Sequence, residues 1–301
     1  MALALSSRTN WSRTAMRSMN FFPRSRVSQA GGRSRRATTQ FMEMGADRSW
    51  SFENIINKLG YSSRKIAAVE WHLRTADFVV ANSELQMRFL VNELPEIAGR
   101  VSYVHLGIEP FEQDSCIRQS RCSVVAVSGG TRPVKGSDVV ARAVSSLRGR
   151  NVDCELRVYG RQYAANDDLS AIMDGAGGVF LGQVEHEEFI SGLGETNVFV
   201  MNSRHESFGL SAIDALRAGA SLLLSGNCGV GEILSLEDSD VVRDCEDACE
   251  VADKIEYLLE CPNASRLYES LDFSMLGWDS AAFRLRNICK RVAIQSREMS
   301  L

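Results

Sequence analysis

The sequence predicts an α/β protein built on a doubly wound parallel sheet of the Rossmann kind. Three observations predict it. Short apolar runs alternate with segments of helical period from residue 122 onward. The run Val198-Phe199-Val200-Met201 is continuously apolar, as a parallel strand buried on both faces is. Strand and helix recur in units of about 30 residues, the length of a right-handed strand–helix–strand crossover. Ligands of such sheets bind beyond the carboxyl ends of the strands, so the chemistry is sought in the loops that follow them.

Composition narrows the class. The 301 residues, 45% hydrophobic and 24% charged, describe a globular chain of one large domain or two smaller ones. No apolar run approaches the ~18 residues a membrane-spanning helix needs. The formal charge of −4 is unevenly spread. Residues 1–42 hold eight Arg and no acid, leaving 26 basic against 38 acidic residues, or −12, in 43–301. So acidic a body argues against a nucleic-acid partner. The eight Cys show neither zinc-ligand nor disulfide-framework spacing, so reduced thiols and no metal are expected.

In chain order, residues 1–49 sustain no period and are expected to be a disordered basic arm. An Arg-rich, acid-free arm also suits an organelle transit peptide, so a cytoplasmic location has an organellar alternative. Helical patterns follow over Phe52–Leu59 and Ile66–Leu73. Ala76–Ser83 reads as a short buried strand ending in a helix cap, Leu85–Leu94 as a helix stopped before Pro95, and Val101–Val104 as another strand. Further strands fit Cys122–Val127, Glu155–Tyr159, Val179–Leu181, Asn197–Met201, Ser221–Leu224 and Asp240–Val242. Helices fit Ser137–Leu147, Asp167–Met173, Glu187–Leu193, Gly209–Ala218, Val230–Ser235, Ala248–Leu259 and Ser280–Ile294. The expected divisions are 1–49, 50–112 and 113–301.

The loops after the first, second and fourth strands of the regular alternation should line one crevice: Ser128-Gly129-Gly130, Gly160, and the stretch from Asn202 to Gly219. In the last, a strand feeds a polar loop and then a helix N-terminus, which aims free amides at one point and makes an anion site. Glu206 and Asp214 stand eight positions apart across that helix start. Carboxylates so placed can accept hydrogen bonds from sugar hydroxyls while the amides hold phosphate. After the first strand come Thr131-Arg132-Pro133-Val134-Lys135-Gly136. There Arg132 supplies a two-oxygen fork and Lys135 a point charge beside Gly129 and Gly130, which let backbone approach closely. The plainer alternatives are a solvated charge pair, a Glu favoured by the helix dipole, and an ordinary helix-start Asp. His205 reads as loop surface, and His72, His105 and His186 have no partner pattern. Asp238-Ser239-Asp240 spells an acid-x-acid triplet, set aside because it lies far from the rest.

Glu206, Ser207, Phe208, Gly209 and Asp214, followed by Ala215-Leu216 and Gly219, resemble the signature of the retaining glycosyltransferases of the GT-B fold, the group-1 family. The resemblance extends over residues ~70–295 and is strongest over 122–235. The family's second acid is usually Glu; Asp214 is one methylene shorter. The resemblance implies transfer of a sugar from a nucleotide-diphosphate sugar with retention of configuration, without a further cofactor or metal. It implies that Glu206 contacts the sugar beside the anomeric carbon, that Arg132 and Lys135 ride over the diphosphate, and that Asp214 holds the ribose. Ser207, Phe208, Gly209 and Leu210 would offer amides; Gln183 and Val184, in the turn after the third strand, would meet the base; Tyr159-Gly160 would floor the crevice, although Tyr159 fits a core position equally well. A complete enzyme of this fold has a second Rossmann-like domain for the acceptor. Nothing in residues 1–69 resembles its opening strand and glycine-rich loop. The expected partners are therefore a nucleotide-sugar donor, an unidentified acceptor and, in the alternative, a separate acceptor-domain chain serving a half-enzyme.

Overall fold

The computed structural model describes residues 2–5, 63–113, 122–162 and 173–298. The helix expected over Phe52–Leu59, most of that over Asp167–Met173, and the basic arm beyond Leu5 lie outside the described residues.

A small sheet comes first. Its strands are β1 (Ala2–Leu5), β2 (Phe78–Ala81) and β3 (Val101–Tyr103), with α1 (Ser63–Thr75) and α2 (Glu84–Glu93) between them in sequence. β1 runs antiparallel to β2, from Ala2 opposite Ala81 to Leu5 opposite Phe78, and β3 runs parallel to β2. The sequence reading left residues 2–5 in an unstructured arm. Four apolar residues with no turn signal are too short a run to reveal an edge strand. Ser83 caps α2 by accepting from the Gln86 amide at 3.0 Å.

The large sheet holds β4 (Ser123–Ser128), β5 (Cys154–Tyr159), β6 (Val179–Gly182), β7 (Val198–Met201), β8 (Ser221–Ser225) and β9 (Val241–Val242). Its order is β6-β5-β4-β7-β8-β9, with every pair parallel. Counted from β4 this is 3-2-1-4-5-6, the doubly wound order whose direction reverses between β4 and β7. The helices are α3 (Ser137–Gly149), α4 (His186–Leu193), α5 (Leu210–Arg217) and α6 (Ala248–Glu260), then α7 (Ala264–Glu269), α8 (Phe273–Leu276) and α9 (Trp278–Glu298). The segment Val230–Ser235, expected to be α-helical, is instead a 3-10 turn over Gly229–Ile233. Gly229 and Gly231 weaken helix there, and Gly229 is wedged between Ser83 and the Ser207 carbonyl.

Both faces of the central strands β4, β7 and β8 are covered, which is why they read as unbroken apolar runs, whereas β5 interposes Glu155 and Arg157 and β6 is half exposed. Ala126, Phe199, Leu222 and Leu224 pack under α5 with Ile213 and Leu216. Val125, Val127, Val200 and Leu223 pack under α3 and α6 with Val140, Val144, Val251 and Ile255. In the small sheet Val79 and Ala81 join Leu73, Phe89 and Leu90 on one face. On the other, Val80 meets Ile288 of α9, the last helix of the chain. Among the described residues no helix is long and apolar enough to cross a membrane.

Candidate functional site

The frame of the site is main chain. At the carboxyl end of the sheet the Gly130 amide donates to the Tyr159 carbonyl at 2.8 Å, Thr131 to Arg161 at 3.2 Å, and Gly160 to Gly182 at 2.7 Å. These bonds tie together the loops after β4, β5 and β6. Gly130 (φ +67°) and Gly160 (φ +119°) are required: a Cβ would lie 2.0 Å from the Arg161 carbonyl in one case and 2.5 Å from the Gly130 nitrogen in the other.

Beyond Gly130 the chain makes a 3-10 turn over Pro133–Lys135, preceded by the partly buried Arg132. The Lys135 side chain lies across Gly129, where a Cβ would meet its Cγ at 2.6 Å. Its Nζ reaches Oε2 of Glu206 at 2.5 Å, with both side chains about one-tenth exposed. In so dry a setting the pair is a strong electrostatic unit, and removing either partner strands a buried charge.

The loop carrying Glu206 extends the β7–β8 pairing. The Glu206 amide donates to Asn227 at 2.9 Å, its carbonyl accepts from Gly229 at 3.0 Å, and Phe208 accepts from Val230 at 2.7 Å. Ser207 and Phe208 are buried; the Phe208 ring packs 5.9 Å from that of His105. Gly209 precedes α5 and lies against Glu206, and Leu210 is exposed at the helix start. The Ser211 and Ser128 hydroxyls meet at 3.0 Å, bridging α5 to the end of β4. Asp214 is partly buried; burial pushes its carboxyl up, against the pull of His186 on α4 and of Arg217.

Thus the structure joins Lys135, Glu206, Gly129 and Gly209 in one contact set, at the point where the strand order reverses. Gly130 and Gly160 form the adjoining wall. Gln183 lies further out, accepting from Arg161 at 3.5 Å, while Val184 packs on the core. Of the two places open to Tyr159, crevice floor or core, it takes the core, with its ring 5.0 Å from Phe189. The last residue of a strand buried on both faces has a side chain directed into one layer, and here that layer is α4.

The histidine expectations are overturned. His205 is fully buried, with Nε2 3.1 Å from Oε1 of Gln86 and its ring 5.8 Å from Phe89. Burial holds it well below the ordinary imidazole range, so it is neutral. Its Nδ1 and the Gln86 Nε2 have no hydrogen-bond partner among the described residues. His105, expected to be unpartnered, meets Glu232 at 2.7 Å. The Glu232 carboxylate also accepts from the Glu84 and Leu85 amides at 2.9 and 2.6 Å, capping α2 from the other sheet's side. Asp240 of the acid-x-acid triplet is wholly buried and binds Arg266 at 2.7 Å and Asn263 at 2.8 Å, a role in packing. Sequence reasoning also missed Arg204, which grips the loop bearing Lys135. These partners lie far apart in sequence, 119 positions for His205 and Gln86, so no spacing reveals them.

Comparison with known proteins identifies the family and the fold. The family described as "Glycosyl transferases group 1" matches residues 117–271, just over half of the chain. A D-inositol 3-phosphate glycosyltransferase of Nocardioides sp. is 25% identical over 267 residues, covering 78% of this chain and 58% of that relative. The chain thus spans little more than half the length of this curated relative. Among solved structures, sucrose-phosphate synthase from Thermosynechococcus elongatus is similar with a TM-score of 0.63 at 19% identity, covering 78% of this chain and 63% of that one. Anabaena Alr3699/HepE, solved in complex with UDP and glucose, is similar with a TM-score of 0.58 at 15% identity, covering 76% and 67%. These likenesses establish the GT-B fold.

Proposed function

The chain belongs to the group 1 glycosyl transferases, and from that premise we propose that it moves a sugar from a nucleotide-diphosphate sugar to an acceptor, with retention of anomeric configuration. The observation that carries this reading is the 2.5 Å contact of Lys135 with Glu206 beside the glycine-lined backbone at the sheet's reversal point. Arg132, Lys135 and the first amides of α5 receive the diphosphate. As the bond from the anomeric carbon to the phosphate oxygen breaks, its electron pair moves onto that oxygen, and the two cations stabilise the charge. Phosphate oxygens compete with Glu206 for Lys135. The carboxylate so released accepts hydrogen bonds from the sugar beside the reacting carbon.

Ser207, Phe208, Gly209 and Leu210 act through their amides, and Gly129, Gly130 and Gly160 admit the donor closely. Asp214 serves the ribose; Gln183 and Val184 serve the base. Charge stabilisation is assigned to Arg132 and Lys135, with no metal or further cofactor in the scheme. The acceptor is a glycan, a lipid or a small molecule, and the setting is cytoplasmic. Turnover of UDP- and GDP-sugars by the wild type, lost in both Glu206→Ala and Lys135→Ala, is the expected result; unchanged rates in both end the proposal.

A second reading rests on the small sheet, which has three strands among the described residues. In it the chain binds the donor and needs a separate acceptor-domain chain. Donor binding by calorimetry without turnover, with turnover restored by such a chain, favours it.

A further inference from the structure

Arg204 lies two residues before Glu206, is 7% exposed, and ties two loops together. Its amide donates to the Val134 carbonyl at 2.8 Å, and its Nη1 donates to the Pro133 carbonyl. The guanidinium is held in turn by Glu246, at 2.5 and 2.6 Å, and by Asp138, at 3.1 and 3.3 Å. On the same seam a Cβ on Gly136 would come within 2.1 Å of the Asn202 carbonyl, so the two loops meet backbone to backbone. Val134 and Gly136 flank Lys135. Arg204 thus holds Pro133 and Val134, the two residues before Lys135, to the loop that carries Glu206.

We infer that Arg204 is a positioning residue of the donor site: it fixes the cation loop to the acid-bearing loop, so that Lys135 and Arg132 stand at the diphosphate. The ligand in this inference rests on the function proposed above. A planar fork with five donors can serve two carboxylates and a carbonyl at once; an ammonium on a flexible stem cannot hold that geometry. Displacement of a catalytic group by about 1 Å can lower rate or affinity about 100-fold.

The test is calorimetric binding of UDP, GDP, UMP and GMP to the full chain and to Arg204→Ala and Arg204→Lys, with hydrogen exchange of the amides at Lys135 and Gly136. Arg204→Ala is expected to weaken diphosphate binding about 100-fold but monophosphate binding less than about 5-fold. Exchange at Lys135 and Gly136 should speed up while the interior of α3 stays protected, and Arg204→Lys should recover little. Equal losses for mono- and diphosphates, full recovery by Lys, or unchanged exchange would each overturn the inference. If Arg204→Ala does not fold, Glu246→Ala, at a half-exposed position, carries the same comparison with an effect of about 10-fold. If the wild type binds no nucleotide, the donor reading fails, and loop exchange alone decides whether Arg204 positions the loop.

Discussion

The six-stranded and three-stranded sheets bury their strands by different routes. The larger draws its covering layers chiefly from helices within residues 137–276, joined by Ile108 from the segment before β4, so its central strands are sealed mostly by neighbours in sequence. The smaller has one face covered by α1 and α2, and borrows the other cover from α9, some 200 positions after β2. Its third strand, β1, comes from the opposite end of the chain. A self-covered sheet holds a preformed crevice at its reversal point. A sheet assembled from remote segments is held by fewer apolar contacts, and two polar contacts at the seam, His205–Gln86 and Glu232–α2, matter correspondingly more.

The sharpest way to break this contrast is through the chemistry, which it assigns wholly to the larger sheet. Glu206→Gln and Lys135→Ala should each lower transfer by about 100- to 1,000-fold, the loss typical of one charge-stabilising group, whereas Trp71→Ala, at an exposed site on α1, should leave the rate unchanged. Steady-state kinetics with melting curves as a folding control reads this directly. Equal sensitivity of both regions would erase the distinction.

Stability gives the next largest effect. Leu223→Ala, in the fully covered layer, should cost about 4 kcal/mol, and Ile288→Ala, beneath the small sheet, about 2 kcal/mol. Denaturant unfolding measures both. Exchange should open β2 alone in the Ile288 variant, and a global response would mean that the sheets unfold as one.

His205 tests the seam through pH. Its folded pKa is depressed by burial, so below its ordinary value of 6.5 only the unfolded chain takes the proton. Stability should therefore fall as pH drops below 6.5, by about 1.4 kcal/mol per pH unit. His205→Gln should flatten that decline between pH 6.5 and 5; an unaltered slope would show that another group governs it.

Glu232 gives the smallest change. Burial opposes its ionisation, but hydrogen bonds from His105 and from the Leu85 and Glu84 amides prevail and hold its carboxyl below the usual 4.5. Its contribution is then present above pH 4.5 and lost as pH falls through the lower folded value. Glu232→Gln should cost about 1.5 kcal/mol at pH 7 and progressively less as pH falls below 4.5, measured as midpoints of unfolding.

Much of the larger sheet was legible in the sequence because burial on both faces of its central strands leaves continuous apolar runs, and because Gly219 ends its helix locally. The contact of Lys135 with Glu206 and the glycines beside it were legible for a related reason: each lies in a loop beyond the carboxyl end of a strand, where the topology converges. Arg204, Gln86 and Glu232 were not, since their roles arise from partners brought together only by tertiary packing. His205 was misread because a polar residue in a polar loop carries no mark that a helix more than a hundred positions earlier will cover it. β1 escaped because its four residues pair with a strand beyond any local window.

One consequence follows from the lacing of the loops after β4, β5 and β6 by amides and carbonyls alone. Because the amides of Gly130, Thr131 and Gly160 donate to the main-chain carbonyls of Tyr159, Arg161 and Gly182, the side chains of Arg161 and Gln183 can be exchanged without disturbing that lattice. If the proposed function holds, those two positions are where a change of donor preference on an unchanged scaffold should begin.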